Sequence, residues 1–142
     1  MGCIAILGGT GPEGLGLGLR FAVAGEEVRI GSRERARAEA AARRMVEQLR
    51  EAGCLTRVTG HENTTTIDGA DLVVLAFPFA GVATLLPQLA PVLRGKVVVD
   101  AVNPLTMERG VFRLLPVPEG SAAQPFTTMI NVAPSGVNAI VS

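Results

Sequence analysis

The apolar run Cys3-Ile4-Ala5-Ile6-Leu7 passes directly into Gly8-Gly9-Thr10-Gly11-Pro12-Glu13-Gly14, and a stretch with helical spacing follows. This succession constrains the chain more than any other part of it. A short, wholly apolar run bounded by glycines reads as a strand buried on both faces of a parallel sheet. Gly9, Gly11 and Gly14 spell G-x-G-x-x-G, which on its own is a weak signal in a chain with 17 glycines. Position makes it stronger, because the string follows a strand, opens a helix, and precedes a second strand that ends about 20 residues further on. In that setting Gly9 permits the tight turn, Gly11 lets the backbone approach a pyrophosphate, and Gly14 lets helix and strand pack closely. Amides at the helix start, aided by the helix dipole, favour a negative charge. The alternative is a purely structural turn in some other doubly wound protein. Glu13 would repel a pyrophosphate, so it is expected to point to solvent.

The rest of the chain alternates in the same way. A helix is expected over Gly14 to Ala24 with Gly25 closing it, then a strand over Val28 to Gly31 and an Ala/Arg/Glu-rich helix over Arg33 to Ala52 closed by Gly53. A short strand over Leu55 to Thr59 and a polar stretch with turn chemistry near Asp68 and Gly69 come next. Leu72 to Phe77 is a fully buried strand ended by Pro78, Ala80 to Leu89 a further helix, and Lys96 to Val99 another strand finishing at Asp100. Strands and helices in this order, with short connections, build parallel βαβ units. The expected fold is α/β, a Rossmann-type doubly wound parallel sheet with strand order 3-2-1-4-5, forming one domain. Residues 120–142 carry no charged side chain. They supply either one or two strands (Thr127 to Val132, Val137 to Val141) or a segment ordered against another chain, with Phe126, Met129 and Ile130 as its contact surface.

Where the second strand ends, NAD sites usually place an Asp or Glu that binds the ribose 2′-hydroxyl. This chain has Gly31-Ser32-Arg33 there. The Ser32 hydroxyl and the planar guanidinium of Arg33 suit a 2′-phosphate, and Arg37, one helical turn on, adds a second positive charge. NADP(H) is therefore expected over NAD. Arg43, Arg44 and Arg50 read as a solvated helix face with i,i+4 partners.

The balance of 13 basic against 13 acidic side chains leaves no basic surface for nucleic acid. No apolar run is long enough to span a membrane. Cys3 and Cys54 lie far apart and form no zinc or CxxC pattern, so both read as small buried residues of a cytoplasmic protein. His61, the single histidine, lies in a polar loop without a partner at motif spacing. It reads as a surface residue, and Asp100 as a cap, although Asp100 and Asn103 follow a strand on the side where functional loops gather.

The stretch ILGGTGPEGLGLGLRFAVAGEEVRIGSRERARAEAAA resembles the start of the NADPH-dependent reductases of the deazaflavin coenzyme F-420 (F420). That family reads LLGGTGxxGxGLAxRxAxxGHEVxxGSR, with a basic residue four positions after the Arg. The likeness continues through ADLVVLAFPF and KVVVDAVNPL and reaches about residue 122. It implies hydride transfer between NADPH and F420 in a homodimer. It also implies that Thr10, Gly11, Pro12 and Glu13 line the pyrophosphate, that Ser32, Arg33 and Arg37 hold the 2′-phosphate, and that Phe77, Pro78 and Val82 border the nicotinamide. Family members continue for several more strands and helices after the segment matching Gly120-Ser121-Ala122-Ala123, and that part completes the coenzyme pocket. An NADP-binding module without catalysis is therefore the alternative to an oxidoreductase.

Overall fold

The computed structural model describes residues 2–118. Five strands form one parallel sheet: β1 (Cys3–Leu7), β2 (Glu27–Ser32), β3 (Val58–Glu62), β4 (Leu72–Leu75) and β5 (Val97–Asp100), in the order β3-β2-β1-β4-β5. The expected topology is the one observed. Helices α1 (Pro12–Val23), α2 (Arg35–Glu51), α3 (Asn63–Thr66) and α4 (Val82–Leu93) make the crossovers.

Alternation along β1 explains why the sheet is covered on both faces. Ile4 and Ile6 point to one side, where they meet Val28 and Ile30 of β2, Ala22 of α1, and the Ala38, Ala41, Met45 and Leu49 stripe of α2. Ala5 and Leu7 point to the other, where Val73 and Leu75 of β4 pack with Leu85, Leu86, Leu89 and Leu93 of α4. Full burial of a side chain such as Leu7 or Ile30 contributes about 1.5–3 kcal/mol each, so both faces hold the sheet.

Three elements differ from expectation. β3 runs three residues later than Leu55 to Thr59, because Leu55 is 92% exposed and the register with β2 starts at Val28 opposite Val58 and ends at Ser32 opposite Glu62. Gly60 is what brings this strand under α2, since a Cβ there would collide with the backbone of Ala38 and Glu39. The polar stretch after it forms the single turn α3, bonded to the Glu62 carbonyl by the Thr66 hydroxyl at 2.6 Å. Helix α4 extends to Leu93 through Pro87 and Pro91. Both prolines are exposed, as is Ala83, so the carbonyls deprived of an N–H partner lie on the solvent side.

Beyond β5 the chain forms a two-stranded antiparallel hairpin, β6 (Leu105–Glu108) and β7 (Val111–Leu114), which the sequence pattern does not announce. Cys3 and Cys54 are unpaired, as expected, but only half-buried. The strands expected in 120–142 lie outside the described residues.

His61 belongs to β3 rather than to a loop, with Nε2 2.8 Å from the Thr59 hydroxyl. Partial burial, then the positive charges of Arg29, Arg35 and Arg57, lower its pKa, and Glu39 opposes them weakly. A histidine whose folded-state pKa is lowered contributes fully above the unfolded value of about 6.5 and less as pH falls below it, because only the unfolded chain takes up the proton. Urea unfolding at about pH 7.5 and pH 5.5 is expected to show this loss, and His61→Gln to flatten it. An identical pH slope in both proteins would remove the assignment.

Candidate functional site

The carboxyl ends of β1, β2 and β4 open onto a cleft of about 670 Å³. Its centre is the β1–α1 turn. Gly8 has φ +68°, and a Cβ there would fall within 2.5 Å of the Phe77 Cβ. The left-handed residue of the turn is therefore Gly8. Gly9 is required for closeness: its N–H donates to the Gly31 carbonyl at 2.9 Å, and a Cβ would lie 2.8 Å from the Ile6 carbonyl oxygen. Gly14 packs against this turn, its notional Cβ 2.5 Å from the Gly9 Cα. Gly11 behaves differently: it lines the cleft, and a Cβ on it would meet no atom of the described residues within 4 Å.

Helix α1 starts here with Gly11 as N-cap, Pro12 in the first turn and no side-chain cap. Its end therefore presents amide donors and the positive end of the helix dipole to the cleft. Glu13 is exposed at the rim, as expected.

At the end of β2, Ser32 is 6% exposed, and its Oγ accepts the Glu34 N–H at 3.3 Å, which leaves the hydroxyl proton to donate elsewhere. Arg33 and Arg37 line the cleft and are exposed. Between them, Arg35 is tied to Glu39 at 2.7 Å, whereas the guanidiniums of Arg33 and Arg37 make no ion pair or hydrogen bond among the described residues. Arg43, Arg44 and Arg50 are exposed as expected, but the i,i+4 partners anticipated for them are absent among the described residues.

The far wall comes from the ends of β4 and β5. Phe77 is buried and Pro78 exposed, and both line the cleft. Val82 does not: as the first residue of α4 it is buried in the core, and Thr84 and Leu85, further along the same helix, face the cleft instead. Gly9 and Gly14 also shape the turn without lining it. Asn103 lines the cleft, while Asp100 accepts the Val102 N–H at 2.9 Å, which is a structural cap. Burial raises the Asp100 pKa, and the Val102 N–H partly offsets this. Asn63 lines the cleft as well, although by sequence it is one residue of a polar stretch. Nothing local in the sequence marks it, since the crossover from β3 brings it to the turn.

A sequence profile described as NADP oxidoreductase, coenzyme F420-dependent, matches residues 3–104. The chain belongs to this family. It is 40% identical over 123 residues to the F420-dependent NADP reductase of Methanocaldococcus jannaschii, which covers 85% of this chain and 55% of that protein. It is 42% identical to the F420-dependent NADP reductase of Methanothermobacter thermautotrophicus, over 85% of this chain and 52% of that one. This member of the family thus spans about half the length of the curated relatives it matches. Among solved structures, a putative F420-dependent NADP reductase from Arthrobacter sp. FB24 superposes with a TM-score of 0.69 at 32% identity, over 92% of this chain and 59% of that one. Malate dehydrogenase from Aeropyrum pernix gives 0.72 at 18% identity, over 94% and 43%, a likeness of fold alone.

No helix among the described residues is long and apolar enough to cross a membrane, and no group of three or more His, Cys, Asp or Glu there could hold a metal ion.

The two turn glycines separate packing from access. Gly14→Ala is expected to lower stability by about 1–3 kcal/mol through forced overlap with Gly9. Gly11→Ala is expected to leave stability unchanged or raise it by up to about 1 kcal/mol. Denaturant unfolding of both variants checks this, and equal destabilisation would contradict the geometry.

Proposed function

We propose that this chain binds NADP(H) along the cleft and transfers hydride between NADPH and coenzyme F420. The observation that carries the reading is the pair of unpaired guanidiniums, Arg33 and Arg37, beside the Ser32 hydroxyl, at the strand end where NAD sites place a carboxylate. A dianionic 2′-phosphate matches that set, and the planar Arg fork suits it. Open space beyond Gly11 and the uncapped start of α1 fit a pyrophosphate. Thr10, Pro12 and Glu13 would flank it, and Gly8, Gly9 and Gly14 would hold the turn in shape.

Phe77 and Pro78 form an apolar wall suited to excluding water from the nicotinamide half. When bound, the reduced nicotinamide supplies the hydride, and the transfer requires no acid or base from the protein. The protein's part is therefore to bind, orient and exclude water. The curated relatives are named for this reaction, which supports F420 as the second coenzyme.

We also propose that the protein self-associates, most simply as a homodimer. On β6 and β7, Leu105 opposite Leu114 and Met107 opposite Phe112 share one face, and all four are exposed. The contact surface expected at Phe126, Met129 and Ile130 lies outside the described residues. A cytoplasmic location is supported by the two unpaired cysteines. Light scattering at high concentration is expected to give a mass above 14.7 kDa, and a strictly monomeric mass would exclude self-association.

Parallel calorimetric titrations with NADPH and NADH test the binding reading. NADPH is expected to bind more tightly, and Arg33→Ala to weaken it by about 1–3 kcal/mol with little effect on NADH. Equal affinity of the native protein for the two would overturn the 2′-phosphate assignment. Oxidation of NADPH dependent on F420 tests the enzyme reading; binding without turnover would make the chain a binding module.

A further inference from the structure

Asn63 is the first residue of α3, is 6% exposed and lines the cleft. Its Oδ1 accepts the Gly8 N–H at 3.1 Å. A backbone N–H can only donate, so the atom facing it is the oxygen, and the amide nitrogen occupies the other branch. That Nδ2 has no hydrogen-bond partner among the described residues. No buried side-chain nitrogen or oxygen there is left without a partner, so the unbonded Nδ2 is one that the cleft reaches. Water can bond this N–H in the open cleft, and a ligand oxygen placed there would take over that bond.

The position of the side chain selects the end of the cleft. A Cβ on Gly31 would stand 2.7 Å from Asn63 Oδ1, so the side chain sits against the last residues of β2, immediately before Ser32. It lies beside the cationic end of the cleft. The geometry points to Asn63 as a contact residue for the adenosine ribose-phosphate end of the ligand, its Nδ2–H donating to an oxygen there while Oδ1 stays fixed on Gly8. This inference rests on the dinucleotide reading above and adds to it a neutral donor, whose contribution does not depend on the 2′-phosphate charge.

The test is NMR on the native protein combined with calorimetry on Asn63→Asp, which keeps an acceptor for Gly8 and removes the donor. The side-chain 15N–1H pair of Asn63, identified by its disappearance in Asn63→Asp, is expected to shift on addition of 2′,5′-ADP and not of nicotinamide mononucleotide. Asn63→Asp is expected to bind 2′,5′-ADP roughly ten-fold or more weakly, with a melting temperature close to native. An unmoved amide pair with native-like binding by Asn63→Asp, in a protein that still prefers NADPH, would overturn this inference alone. A shifted pair without any preference for NADPH would keep the Asn63 contact and overturn the 2′-phosphate reading. Absence of binding by any of these nucleotides would overturn both.

Discussion

The site depends on one steric condition, the absence of side chains where β1 turns into α1. With Gly14 resting on Gly9 and Gly8 pressed against Phe77, three backbone segments approach more closely than any Cβ would allow. The turn is then bonded outward on two sides, to the Gly31 carbonyl through Gly9 and to Asn63 through Gly8. The strands around it end level with one another. Leu7 pairs with Leu75, the Ala76 N–H bonds the Leu7 carbonyl at 2.9 Å, and the Ala101 N–H bonds the Leu75 carbonyl at 3.0 Å. The carboxyl edge of the sheet is therefore flush, and residues distant in sequence, Gly11, Arg33, Asn63, Phe77 and Asn103, come to line one concavity. A Cβ at Gly8 or Gly9 would force the turn to shift against Phe77 or the Ile6 carbonyl.

Electrostatics gives this concavity its polarity. The chain carries equal numbers of acidic and basic side chains, so nothing in its overall charge attracts an anion. The local arrangement does. Glu27 takes Arg29 and Arg57, Glu39 takes Arg35, and Glu108 takes Arg113. The exposed pairs of Arg35 and Arg113 contribute little to stability, but together the four pairs determine which guanidiniums remain uncommitted. Arg33 and Arg37 fall one helical turn apart with no carboxylate in reach among the described residues, beside the uncapped start of α1. Positive potential is thereby concentrated at one end of the cleft, while the end at Phe77 and Leu85 stays apolar.

Much of this was legible in the sequence because the relevant signals are local. A strand such as Cys3–Leu7 declares itself by being apolar throughout, and the place of Ser32 and Arg33 follows from where β2 must stop. What was not legible depends on tertiary contact. The extension of β3 onto Gly60, His61 and Glu62 is set by Gly60 fitting beneath α2, which no propensity records. Val82 and Leu85 are both apolar and three residues apart on one helix, and only the way α4 lies on β4 and β5 decides which of them faces the cleft. Asn63 is the sharpest case: among several polar residues in a row, it alone is brought under Gly8 by the crossover from β3.

A TM-score of 0.72 to a malate dehydrogenase at 18% identity shows that this backbone is compatible with very different side chains. Specificity has to reside in the few positions that the backbone presents to the cleft and that packing leaves free. Gly8, Gly9 and Gly14 are not among them, since their replacement disturbs the fold itself. Ser32, Arg33, Arg37 and Asn63 are, because each is placed by a strand or helix end yet offers at least one donor that the described protein does not use. The core fixes where these groups stand, and under the proposed function their unused donors set what the cleft binds. A turn that cannot vary, next to donors that can, is how one sheet accommodates different nucleotides without changing its packing.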